Sequence, residues 1–319
     1  MVFLQQLING LSLGAIYALI ALGYTMVYGV LRFINFAHSE VFMVGAFAGY
    51  YLGAMASWKW IIRLGGNTWT LTVPSYLVIP TNTWWGGILI LALAMVFCAV
   101  LGVVIEKLAY RPLRGRSTLT VLITAIGVSL LLQNLGQLIF GANPKSFPKL
   151  FPQHNFTTPG GLVVSSDQLI VFGVSVILLF ALRHIVMKTR IGTAMRALSF
   201  NPTAASLVGI NNDAVISFTF VLGSSLAAAG GILYAMNYPS IDPLMGTLPG
   251  MKAFVAAVLG GIGNIPGAAL GGVVLGLVET MVVALGGSTY RDAVAFGVLI
   301  LILLFRPAGL LGKLQTEKV

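Results

Sequence analysis

Charge is what this chain has least of. Charged residues fill 8% of its 319 positions, against about 25% in a soluble domain, which excludes an ordinary water-facing globule. Acids are scarcest, eight in all. A proton relay wants several acids at membrane depth. The apolar runs offer only Glu279, with Glu40 and Asp242 near them, so proton coupling finds little support. The single cysteine, Cys98, excludes an internal disulfide and a Cys-based metal site. No charge precedes Arg32, whereas a signal peptide carries its basic residues ahead of its apolar stretch, so the first run is expected to stay as a span. Catalytic motifs are missing too. The one Gly-Lys pair, Gly312-Lys313, lacks the phosphate-loop spacing, and no H-E-x-x-H, G-x-S-x-G or Cys/His cluster occurs. We therefore expect no catalytic residue, no metal and no cofactor bound by this chain. Any nucleotide-driven work falls to a partner. No basic stretch interleaved with aromatics points to nucleic acid.

What is abundant is apolar sequence: 58% hydrophobic residues and a mean hydropathy of +0.96. The chain reads as an all-α, polytopic transmembrane bundle of about eight to ten spans, one domain over residues 1–319. The stretch 249–262 is apolar but short. It breaks at residues 260–267, G-G-I-G-N-I-P-G, so short or broken helices are expected near 249–267. Two segments read as external loops. Residues 57–84 hold four of the five tryptophans, with Trp85 next in sequence, and 141–166 hold prolines and glycines. Twelve of the eighteen Lys and Arg fall at Arg32, 107–116, 183–196 and 306–318, and five at proposed outer positions. That bias places those four segments in the cytoplasm, with the N-terminus outside and the C-terminus inside.

Residues 188–212 form the most polar of the basic segments and write out a short helix. Asn201 can cap it, Pro202 suits its first turn, and Gly209 can end it left-handed. A two-turn helix is marginal alone. It either docks into another protein or lies as a connector on the headgroups. Among polar residues, Asn35, His38 and Glu40 are candidates for a substrate path, or else form a cytoplasmic turn with Arg32 near enough to pair. Glu279 sits deep in its run, either in a path or in an interhelical hydrogen bond. Asn264 marks the broken segment. Gly45, Gly49 and Gly53 recur at four-residue steps, echoed by Gly263, Gly267 and Gly271. The two sets are either helix-packing stripes or the trace of an inverted repeat with broken helices.

Three blocks then look familiar. G-L-S-L-G-A-I-Y-A-L-I-A-L-G-Y-T-M-V-Y-G with I-N-F-A-H-S-E-V-F-M-V-G-A, then R-I-G-T-A-M-R-A-L-S-F-N-P-T-A-A-S-L-V-G-I-N, and G-M-K-A-F-V-A-A-V-L-G-G-I-G-N-I-P-G-A-A-L-G-G together resemble bacterial branched-chain amino acid ABC-transporter permeases. The likeness is to the shorter membrane subunit of high-affinity leucine/isoleucine/valine importers. It implies an inner-membrane subunit paired with a second, homologous permease, two cytoplasmic ATPases and a periplasmic substrate-binding protein, with membrane lipid around it. It maps the ATPase-coupling helix onto residues 201–209. Arg196, Asn201, Pro202, Ala204, Ala205, Ser206 and Gly209 are then its candidates. Two features depart from the pattern: Ser39 stands where glycine usually follows the histidine, and the tryptophan-rich loop is extra. Urea and short-amide importers share this permease type, and a stand-alone secondary transporter is the reading from another class.

Overall fold

The computed structural model describes residues 2–55, 59–64, 67–72, 78–157, 159 and 161–312. Eleven α-helices are described: α1 Val2–Leu31, α2 His38–Gly53, α3 Trp84–Ile105, α4 Thr118–Phe140, α5 Ser166–Lys188, α6 Arg190–Phe200, α7 Pro202–Leu207, α8 Asn212–Asn237, α9 Thr247–Gly260, α10 Ile265–Ala284 and α11 Arg291–Phe305. Seven helical segments among the described residues are long and apolar enough to cross a membrane. The 16-residue α2 and the 14-residue α9 are shorter than a crossing requires. Among the described residues sheet is confined to three two-stranded pairs. One is the hairpin Lys59–Leu64 with Asn67–Thr72, inside the tryptophan-rich segment. Trp58 and the side chains of Trp60 and Trp69 lie outside the described residues. Trp84 and Trp85 open α3 with exposed rings. Lys313 and Lys318 also lie beyond the described residues.

The helices give the bundle two distinct ends. At one, Arg32 reaches Ser199 O at 3.2 Å, and a cleft brings Arg114, Arg116 and Thr118 beside Leu198, Pro202 and Asp213. At the other, Gln5 bonds Val163 at 2.8 Å, Asn82 bonds Lys149, and residues 145–146 pair with 240–241. We call the first the basic end. It gathers segments 32, 107–116 and 188–213, and also the turn at Gly263, which lies beside Gly29.

Against this frame α2 and α9 are half-helices. The His38 ring sits beside Ile20 O, 3.2 Å away. Ile20 precedes the end of α1 by eleven residues, about 16 Å at 1.5 Å per residue. Residues 32–37 therefore run from the basic end to mid-bundle without helix, and α2 starts there and continues to the far end, where Gly53 meets Pro148. The start of α9 meets the same place, because Gly246 and Gly250 pack on Ser39. From there α9 runs the other way, to the basic end. A long helix followed by a half-helix thus occurs twice, as α1–α2 and α8–α9, with opposite direction. The pattern continues with α3–α4 and α10–α11. Its packing is reciprocal: α1 lies along α10 as α8 lies along α3, and α2 lies on α8 as α9 lies on α1. The repeat equates α2 with α9, so the matching glycine steps on α2 and on α10 are not equivalent positions.

Small residues let these helices approach. Gly14 of α1 and Gly276 of α10 meet backbone to backbone, as do Gly45 and Ala228, Gly231 and Phe42, and Gly271 and Ala256. Gly49 faces Ile232, and Gly267 faces Gly260 across the α9–α10 turn. Gly263 lies in that turn, with φ +91°, a conformation that favours glycine. The interior is α1, α2 and α8, with Tyr17, Phe42, Phe47 and Phe220 fully enclosed. Gly276→Leu is expected to abolish the folded bundle, since its side chain would have to displace the α1 backbone rather than a side chain. The check is the yield of monodisperse, detergent-solubilised protein.

Candidate functional site

The α6–α7 segment is built by consecutive caps. Thr189 Oγ1 accepts from Gly192 N at 3.1 Å, Asn201 Oδ1 from Ala204 N at 3.0 Å, and Asn211 Oδ1 from Ala214 N at 3.1 Å. Pro202 opens α7 where its missing N–H costs nothing. Gly209 closes it at φ +85°, with Ile210 N bonding Ala205 O at 3.1 Å. Asn212 Nδ2 donates to Pro202 O at 2.9 Å and fastens α7 to the start of α8. The side chains sort themselves clearly. Ala205 is buried at 3% exposure and faces the bundle, while Ala204 and Ser206 are exposed, Ser206 Oγ donating to Thr203 O. Arg196 donates to Val186 O and, at 3.3 Å, to Thr193 Oγ1, so it ties α6 to the end of α5. The outward apolar residues are Phe200, Leu207 and Val208, 89%, 83% and 77% exposed. Sequence reasoning passed over these three because an apolar residue beside apolar runs carries no signal.

Asn201→Ala is expected to destabilise α7 by about 1 kcal/mol, loosening the helix without unfolding the bundle. Amide hydrogen exchange at Ala204 should accelerate, and Asn201→Asp should restore protection.

The second constellation lies at the half-helix junction. Asn35, His38, Ser39 and Glu40 are all buried, so they do not form the cytoplasmic turn that is the alternative to a substrate path, and Arg32 turns away to Ser199. Asn35 accepts from Tyr110 OH at 2.5 Å. The His38 ring bonds Ile20 O and meets Tyr24 edge-on at 4.7 Å. Ser39 Oγ donates to Phe36 O at 2.9 Å. Glu40 Oε1 accepts from Ser129 of α4 at 3.3 Å, and one turn along α4 Gln133 donates to Thr247 at 3.2 Å. Asn264 is not here. It caps α10 through Gly267 N and donates to Leu311 O at the basic end.

Glu279 is elsewhere again, inside a buried ion cluster. Its Oε2 accepts from Arg291 Nε at 2.6 Å and from Tyr17 OH at 3.2 Å. Its Oε1 lies 3.1 Å from Lys252 Nζ, an ion pair by distance whose angles miss hydrogen-bond geometry. Lys252 also reaches Asp292 at 2.6 Å. The cluster joins α1, α9, α10 and α11. At the basic end the fully buried Glu106 pairs with Arg114 and accepts from Ser217 at 2.7 Å, while Asp213 pairs with Arg111 and Arg114. That set sews the end of α3 to the start of α8. Tyr110, Ser129, Thr247, Lys252 and Arg291 were not singled out as site residues from sequence. They are single polar residues within or beside apolar runs, far apart in sequence, and only the fold brings them to their partners.

An inverted pair of broken helices meeting in mid-bundle, inside a shell of spanning helices, defines a polytopic helical membrane permease. Comparison with known proteins makes this specific. Residues 6–303 match the family described as branched-chain amino acid transport system / permease component. BraD, the high-affinity branched-chain amino acid transport system permease protein of Pseudomonas aeruginosa, is 42% identical over 321 residues, 99% of this chain and 98% of its own. LivH of Escherichia coli K12, with the same description, is 40% identical over 325 residues at the same coverage. The ribose import permease RbsC of E. coli K12 is 31% identical over 132 residues, 40% of this chain and 41% of its own. No solved structure matches. The chain belongs to the branched-chain amino acid permease family, and it is a multi-pass membrane protein.

Proposed function

We propose that this chain is one of two permease subunits of an ATP-binding-cassette importer for branched-chain amino acids in a bacterial inner membrane. It transports by alternating access at its interface with a second, homologous permease. Two cytoplasmic ATPases supply the movement, and this chain binds no nucleotide. An extracytoplasmic binding protein delivers substrate to the end opposite the basic one. The N-terminus faces out and the C-terminus in, an orientation supported by the gathering of Arg32, Arg111, Arg114, Arg116, Arg190 and Arg196 towards one end. Similarity to BraD and LivH over nearly the whole chain carries the substrate class. The capped α7, with Phe200, Leu207 and Val208 unpartnered around it, supports the ATPase contact.

The test is reconstitution of the cognate permease pair, ATPases and binding protein in liposomes. ATP-dependent uptake of leucine, isoleucine or valine is expected, and none by this chain alone under an ion gradient. Uptake of urea or short amides in place of branched-chain amino acids would reassign the substrate, and accumulation without ATPases would sink the importer reading.

A further inference from the structure

The half-helix junction contains a buried polar atom without a partner among the described residues. Glu40 is 2% exposed, and while its Oε1 accepts from Ser129 and Ser39, its Oε2 meets no donor among them. None of the ion pairs among the described residues involves Glu40. An uncompensated carboxylate oxygen in such a place is costly, and an ionisable group at membrane depth that lacks an ion-pair partner points to a substrate or ion path. Glu40 stands in the first turn of α2, and Ser39 beside it touches the first turn of α9 at Gly246 and Gly250. The positive ends of two opposed half-helices therefore converge on the spot where this carboxylate is held.

The cover over the junction is α4. Ser129 and Gln133, one turn apart, face inward and hold α4 to Glu40 and Thr247 by hydrogen bonds. Elsewhere α4 is little enclosed: Ile123, Leu130, Leu131 and Leu138 are exposed, and of the seven spanning segments only the one ending in α11 is less enclosed. Its apolar anchors lie to either side of the polar spot, at the buried Ala125 and at Phe140, which stacks on Phe47 at 4.4 Å, so between them α4 can part from Glu40 by exchanging two hydrogen bonds. Beneath it, Met43 packs against both Gly136 of α4 and Gly246. A methionine there presents a soft, adaptable apolar wall.

We propose that Glu40 receives the ammonium group of the transported amino acid when α4 moves aside. The substrate takes the place of the Ser129 hydroxyl, and the ends of α2 and α9 favour its carboxylate. The aliphatic side chain lies against Met43, where leucine, isoleucine and valine all fit a deformable surface. This rests on the importer reading above and names the group in that path that reads the substrate's positive charge.

The test uses the complete importer in proteoliposomes. Glu40→Gln keeps the size and one acceptor oxygen for Ser39 and Ser129, and replaces the other, charged oxygen with a neutral NH2 that cannot accept from an ammonium. Leucine uptake is expected to fall on the order of tenfold or more, as for one lost charge-assisted contact, with ATP hydrolysis and melting temperature close to wild type. Glu40→Asp should recover part of the uptake. Because Cys98 is the chain's one cysteine and is buried, thiol labelling of Ser129→Cys on this subunit reports access to the junction. Turnover with leucine should slow labelling when Glu40 is present and not in combination with Glu40→Gln. Equal uptake by Glu40→Gln and wild type would overturn the assignment. So would loss of uptake in step with loss of hydrolysis or of folded complex, which would make Glu40 a packing residue. Failure of wild type itself to take up branched-chain amino acids would overturn the importer reading, and this inference with it.

Discussion

Leu207→Glu is expected to reduce ATP-driven uptake to background while the protein still inserts, folds and melts near wild type. Leu207 is 83% exposed, so almost nothing is lost inside this chain when it changes. Exposed substitutions of that kind usually stay within about 0.5 kcal/mol. If α7 is the lever that ATPases grip, the same residue becomes the centre of an interface once assembled. A carboxylate carried into an apolar groove without a partner costs several kcal/mol. Even about 4 kcal/mol corresponds to roughly a thousandfold in affinity. The separation between folding and coupling is what makes this position informative. Ala205→Glu would look similar in an uptake assay for a different reason, since Ala205 faces the bundle and its change disrupts α7 itself. Copurification of ATPase subunits with Leu207→Glu should fail while copurification of the second permease persists. Normal uptake by a well-folded Leu207→Glu variant would remove α7 from the coupling path.

The same stretch shows how far the sequence alone reaches. Asn201, Pro202 and Gly209 specify α7 by local rules of capping and termination, and the helix forms where those rules put it. Long apolar runs likewise give α3, α5, α8 and α10 within a few residues. Which way a side chain faces is set by tertiary packing, and so Ala205 turned inward while Leu207 and Val208 turned out. The junction was least legible. Residues 32–37 carry polar groups in an order that a surface turn would also use. Their burial follows from α2 beginning beside Ile20, in the middle of α1, rather than at a membrane boundary. The inverted repeat was hidden for a similar reason. Symmetric packing needs small residues where helices cross, and the crossing partners, Gly14 with Gly276 or Gly45 with Ala228, share no common sequence step. Glu279 was visible as a deep acid, but its partners lie on three other helices.

That last cluster sets the largest expected electrostatic effect on stability. Glu279 is fully buried and is contacted by Arg291, Lys252 and Tyr17. Glu279→Gln leaves two cations, Lys252 and Arg291, facing one remaining acid, Asp292, whose side chain is 49% exposed. Removing one member of a buried ion pair costs about 3–5 kcal/mol, because the charge left behind has lost its compensation. Lys252→Met produces the opposite imbalance, with Glu279 and Asp292 facing Arg291 alone. Each single variant should therefore melt well below wild type in detergent and lose α9 first, since Lys252 is that half-helix's ionic tie to α10 and α11. The double variant Lys252→Met with Glu279→Gln restores balance, leaving Arg291 with Asp292. It should be less destabilised than the sum of the singles, a coupling that a double-mutant cycle reads directly. Thermal melting of the four proteins supplies the measurement. Additive losses, or a Glu279→Gln protein as stable as wild type, would mean that Lys252 and Glu279 are neighbours without being charge partners, and that α9 is held at mid-bundle by its glycine contacts alone.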